Sequence, residues 1–96
     1  MFYVYLLLLS NGNIYKGTTA NLERRIKEHR FGKVRSTKNK RPKLIFYEAY
    51  LLKSDTERRE KFLKTTEGRR LLKKQLRDFF SSNESSSSHS TGRPVE

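Results

Sequence analysis

The chain has no cysteine and no tryptophan, and among its 96 residues only two prolines and one methionine. Without thiols no disulfide forms, and any metal must be held by oxygen or nitrogen ligands. Long apolar runs are also missing. The longest, Phe2–Leu9, falls far short of the ~20 residues of a membrane span. It has neither a basic leader nor a cleavage site, so it does not read as a signal peptide, and a cytoplasmic location is expected. Acidic residues are scarce, 10 against 22 lysines and arginines, for a formal net charge of +12.

That imbalance is the first pointer to a partner. Residues 81–96 (SSNESSSSHSTGRPVE) hold one arginine and two glutamates, so residues 1–80 keep 21 basic side chains against 8 acidic ones. Such density favours polyanions, because each neutralised phosphate releases condensed counterions. A basic surface kept only for solubility is the plainer account, but mixed signs serve solubility as well. No stretch pairs a basic face with the broad apolar face of an interfacial helix, so no membrane partner is expected. The segment 81–96 has almost nothing apolar to bury and is expected to be a disordered tail. The folded domain is then 1–80, a size at which one core gives only a few kcal/mol of net stability.

Phe2–Leu9 (FYVYLLLL) reads as a buried strand, Asn11-Gly12 as a hairpin turn and Ile14–Gly17 as the returning strand. Thr19 or Asn21 can cap a helix from Leu22 to about Arg30. Phe31–Pro42 has no apolar period but carries Lys33, Arg35, Lys38, Lys40 and Arg41, and is expected to be a mobile basic loop. Lys43–Leu52 reads as a third strand. Ser54 and Glu57 fit a capping box for a helix to about Lys64. Thr65–Gly68 interrupts, and a last helix is expected over Arg69–Phe80, with Leu71, Leu72, Leu76 and Phe79 on one stripe. The class is α+β, a small three-stranded antiparallel sheet flanked by helices in the order β-β-α-β-α-α.

Some residues sit oddly in this plan. At 100° per residue, Arg25 lies about 60° and His29 about 20° from Leu22, so both flank the stripe that should face the sheet. A snorkelling Arg and a hydrogen-bonded core-edge His would be the bland account. Glu23, Arg24, Lys27 and Glu28 read as ordinary solvated positions. Glu60 sits mid-helix with Thr56 and Leu63 near its face, where a surface ion pair is the usual role, yet a carboxylate in a basic site also suits a hard divalent cation. Tyr5 and Tyr15 lie on the two strands of the hairpin, where tyrosines commonly pack with a hydroxyl at the rim.

Taken together, Val4-Tyr5-Leu6, Tyr15-Lys16-Gly17 and Asn21–His29, followed by Gly32-Lys33, Ser36-Thr37, Arg41-Pro42 and Arg59–Lys64, resemble the GIY-YIG nuclease domain. The resemblance spans roughly residues 2–80, and is nearest to the short stand-alone bacterial type related to the excinuclease C nuclease module. It implies an endonuclease cutting DNA with one Mg²⁺ or Mn²⁺ ion, with RNA left open. It would make Glu60 the metal ligand and Arg25 the cation on the scissile phosphate. Tyr5 would deprotonate or orient the attacking water, Tyr15 would position the water or the phosphate, and His29 would accept a proton or touch phosphate. Lys16, Lys33, Arg35, Lys38, Lys40 and Arg41 would carry the DNA. The chain departs from the family pattern with Val4 for Gly, Leu6 after the tyrosine, and Lys16 where Ile is usual; Lys16 should point away from Tyr15, to solvent or substrate. Two rival readings are a non-catalytic basic nucleic-acid-binding module, and a scaffold docking on a repair protein.

Overall fold

A computed structural model describes residues 1–88, with side-chain surroundings described as far as residue 82. Strand β1 (Phe2–Leu8) forms a hairpin with β2 (Ile14–Thr19). Helix α1 (Leu22–Arg30) follows, then a single 3₁₀ turn at Arg35–Thr37 and strand β3 (Lys43–Tyr50). Three helices complete the chain: α2 (Lys53–Leu63), α3 (Thr66–Gln75) and α4 (Arg77–Ser88). The sheet is antiparallel with β1 in the centre, in the order β2-β1-β3. This is the expected α+β order, with the last helix divided.

Because strand side chains alternate, β1 feeds two cores. Val4 and Leu6 pack with Leu63 and Leu72 on the face covered by α2 and α3. Tyr5, Leu7 and Leu9 pack with Ile26 on the face covered by α1. Each of these apolar side chains contributes roughly 1.5–3 kcal/mol of transfer free energy. The hairpin turn is as expected, with Gly12 at φ 89° and the Asn11 side chain accepting from the Asn13 amide at 3.0 Å. β2 and β3 are the edge strands of the sheet.

Five expectations change. Ser54 is not the N-cap of α2: the cap position falls on Leu52, without a side-chain bond, and the Thr56 hydroxyl instead donates to the Leu52 carbonyl at 2.9 Å. The final helix begins earlier, because Thr65 caps it by accepting from the Gly68 amide at 3.0 Å, and it breaks at Leu76. Leu71, expected on the buried stripe, is 37% exposed, and Leu72 and Gly68 are the buried residues of α3. Helix α4 runs eight residues into the segment expected to be disordered, since extending a helix already nucleated at Arg77–Phe80 costs much less than starting one; the remainder, 89–96, lies outside the described residues. The basic loop Phe31–Pro42 is fixed at several points: the Ser10 amide donates to the Lys40 carbonyl at 2.7 Å, and Thr37 is fully buried.

Candidate active site

Helix α1 is placed by its cap. Asn21 Oδ1 accepts from the Arg24 amide at 3.0 Å, which satisfies a free N–H of the first turn and aims the next residues across β1 and β2. Arg25 and His29, one turn apart, then meet Tyr5. The Tyr5 hydroxyl lies 2.8 Å from His29 Nε2, and Arg25 Nε donates to the same hydroxyl oxygen at 3.4 Å. Tyr15 closes the group, its ring 5.1 Å from the His29 imidazole and 6.2 Å from the Tyr5 ring. Four of the five expected catalytic residues therefore form one cluster beneath α1.

Gly17 makes room for it. It pairs with Tyr5 across the strands, and a Cβ there would stand 2.5 Å from the Tyr5 oxygen. The glycine of the Tyr15-Lys16-Gly17 triplet thus serves close approach of a side chain, and its backbone angle is ordinary for a strand.

Two partners were not foreseen as site residues. Thr37, in the 3₁₀ turn, has its hydroxyl 2.8 Å from His29 Nδ1. Glu28, read as a solvated position, accepts from Arg25 Nη1 at 3.0 Å. Thr37 had one faint signal, an uncharged residue inside a cationic run; Glu28 had only its i,i+3 spacing to Arg25.

The hydrogen-bond partners set the proton positions. The Thr37 hydroxyl is directed at the Val34 carbonyl, 3.5 Å away, which leaves its oxygen to accept from His29 Nδ1; in that tautomer Nε2 accepts from the Tyr5 hydroxyl, whose oxygen also accepts from Arg25. Burial raises the Tyr5 pKa, and the Arg25 hydrogen bond offsets only part of this. Burial likewise lowers the His29 pKa, helped by the Arg25 charge and opposed by Glu28. Arg25 is held still more firmly cationic by its bonds to Tyr5 and Glu28. At neutral pH the site holds a neutral phenol, a neutral imidazole that accepts from it, and a fixed cation.

Depth matters as much as distance. Tyr5 has no exposed surface and His29 is 1% exposed. Tyr15 and Arg25 are half-buried, and so they are the members an incoming phosphodiester can touch.

Glu60 stands on α2, where it ion-pairs with Lys64 at 3.0 Å with its side chain 21% exposed. Among the described residues, no hydrogen bond or ion pair joins it to the Tyr5 cluster, and no group of three His, Asp or Glu side chains could cage a metal. A single accessible carboxylate still fits Mg²⁺ or Mn²⁺, which commonly take one or two carboxylates and fill the shell with water and substrate phosphate. Of the residues expected to carry DNA, Lys33, Arg35, Lys38 and Arg41 are exposed around the loop, and Lys40 is half-buried. Lys16 does point away from Tyr15, but onto the α3 face, where burial, Arg69 and Lys64 lower its pKa.

Comparison with known proteins agrees with this architecture. The GIY-YIG catalytic domain profile matches residues 1–88, and the chain belongs to that nuclease family. Relatives include the UPF0213 protein SH2523 of Staphylococcus haemolyticus, 38% identical over 73 residues, covering 74% of this chain and 89% of that protein. The UPF0213 protein CPE1444 of Clostridium perfringens is 38% identical over 66 residues, covering 67% and 71%. The solution structure of the UPF0213 protein BH0048 from Bacillus halodurans is 31% identical, with TM-score 0.49 over 75% of this chain and 82% of that one. No helix among the described residues is long and apolar enough to cross a membrane.

Proposed function

We propose that the chain is an endonuclease that hydrolyses DNA phosphodiester bonds with the help of one Mg²⁺ or Mn²⁺ ion. The observation that carries this is the buried chain from Tyr5 through His29 to Thr37, with Arg25 on the tyrosine oxygen. A phenol is a poor base by itself, and burial makes Tyr5 poorer. A neutral imidazole 2.8 Å away changes that, because it can take the tyrosine proton as negative charge builds on oxygen. Half-buried Tyr15 meets the attacking water and takes its proton while passing its own to the Tyr5 oxygen; Tyr5 in turn gives its proton to His29 Nε2, which ends as the imidazolium. Arg25 binds a non-bridging phosphate oxygen, and its link to Glu28 keeps the guanidinium oriented.

Glu60 would hold the divalent ion, which when bound supplies charge stabilisation at the phosphate and the leaving oxygen. Lys33, Arg35, Lys38, Lys40 and Arg41 would bind the flanking backbone. A place in DNA repair or recombination rests on the resemblance to the excinuclease C module.

One observation favours the rival reading, a binding module without chemistry: the Tyr5, His29 and Arg25 groups are all satisfied internally, as in a packing network. Labelled single-stranded, duplex and branched DNA incubated with Mg²⁺, Mn²⁺ or EDTA separates the two. Cutting that needs the metal and is lost in Glu60→Ala supports the nuclease; tight binding with no cutting under any metal supports the module.

A further inference from the structure

The sheet face opposite the Tyr5 cluster carries a groove of ≈ 510 Å³ beside the hairpin turn. Its apolar lining is Leu6, Ile14, Leu72 and Phe80, of which Ile14 and Phe80 are the more exposed, and Lys16, Arg69 and Lys73 are its cations. No acidic residue lines it, and none of the three cations has an ion-pair partner among the described residues. Six other cations, Arg24, Arg25, Lys27, Arg58, Arg59 and Lys64, do pair with carboxylates; what sets these three apart is that they gather around one apolar groove.

From this juxtaposition we infer that the groove is a second nucleic-acid subsite, taking one unpaired nucleotide with its base against Phe80 and the apolar lining and its flanking phosphates on Lys16, Arg69 and Lys73. An apolar lining that includes an aromatic ring suits a base face, and a cationic rim suits the backbone; together they are what sequence-tolerant single-strand sites use. A paired base would keep its faces stacked in the duplex and could use the rim alone. Lys16 explains the otherwise costly arrangement. It is half-buried with Arg69 and Lys64 disfavouring its charge, and a phosphate would relieve that repulsion. Lys64, whose charge acts on Lys16, also pairs with Glu60, which links the groove's cations to the carboxylate. A strand held here would leave the duplex near Glu60, giving the enzyme a preference for substrates with an unpaired arm.

The inference rests on nucleic acid being the ligand, as proposed above, but not on cleavage, so it is tested by binding in EDTA with the full chain. A labelled dT₁₂ strand, a blunt duplex of equal length, free dTMP and phosphatidylglycerol vesicles are titrated against wild type, Arg69→Ala/Lys73→Ala, Phe80→Leu and the loop variant Lys33→Ala/Lys38→Ala. All four residues that lose charge are exposed, and circular dichroism checks each fold. The groove pair should lose about tenfold or more in dT₁₂ affinity, with the log–log salt slope falling by about 1.4 for two lost phosphates. Its duplex affinity should change much less, Phe80→Leu should weaken dT₁₂ alone, and the loop variant should weaken both. Unchanged dT₁₂ affinity and slope in the groove pair overturn the inference. So do equal losses for strand and duplex, binding of dTMP as tight as dT₁₂, or vesicles that outcompete the strand. An intact groove effect in a chain that never cuts would sink the nuclease reading and leave this one standing.

Discussion

The Tyr5 hydroxyl and His29 Nε2 lie 2.8 Å apart, both sealed from solvent, although 24 positions separate them in the chain. This pair decides what the site can do, because it joins a phenol that resists ionisation to an imidazole that resists protonation.

Removing the imidazole should therefore remove the proton acceptor. His29→Ala is expected to lower kcat by about 10²- to 10⁴-fold with little change in DNA affinity. Single-turnover cleavage beside equilibrium binding measures the two separately, and an affinity loss that accounts for the whole effect would count against the acceptor role.

Thr37 acts through His29, not on the substrate. Thr37→Val keeps the shape and removes the hydroxyl that accepts from Nδ1, leaving a buried donor unpaired at a cost of about 1–3 kcal/mol. Thr37→Ser should restore most of the loss in both stability and rate. A purely packing role would make Thr37→Val the milder of the two changes.

Acidity should matter in a defined direction. Burial, with the Arg25 charge, depresses the His29 pKa below the ordinary histidine value of about 6.5, so the folded state resists the proton that the unfolded chain takes up. Stability from this group is thus full above pH 6.5 and declines as pH falls from there towards the depressed value. Activity should rise through the same depressed value and be flat near neutrality. Urea titrations and cleavage rates from pH 4.5 to 8 test both, and a rate midpoint above 6.5 would contradict the assignment.

Glu60→Gln should abolish metal-supported cleavage while leaving the melting temperature nearly unchanged. Its partner Lys64 is half-exposed, and such surface pairs contribute only about 0–1 kcal/mol. Lys64→Ala, which frees the carboxylate, should keep cleavage and tighten the apparent affinity for Mn²⁺.

Two glycines should fail for different reasons. Gly17→Ala drives a methyl into the Tyr5 hydroxyl, so activity should collapse even where the fold survives. Gly68→Ala places its methyl on the Phe62 carbonyl at the α2–α3 corner, so stability should fall by about 1–3 kcal/mol while the α1 site is spared. Matched melting curves and cleavage assays distinguish them.

The sequence by itself determined the three strands and the order of the helices, but not the caps or the division of the last helix. The continuous apolar run Phe2–Leu8, the Asn11-Gly12 turn and the helical stripe of α1 are local patterns, readable from one segment at a time. It also brought Tyr5, Tyr15, Arg25 and His29 under suspicion, because each polar group sits on a face that should bury apolar ones. Only the tertiary structure decided their depth and company. That Thr37 reaches His29 from a loop, that Glu28 holds Arg25, and that Tyr5 lies below Tyr15 depend on how segments pack. Lys16 shows the limit most clearly: alternation gave its direction, but α3, far along the chain, supplied the cations and apolar walls that surround it. Local periodicity fixes where a side chain points, while what it meets there is set by long-range packing that no single segment encodes.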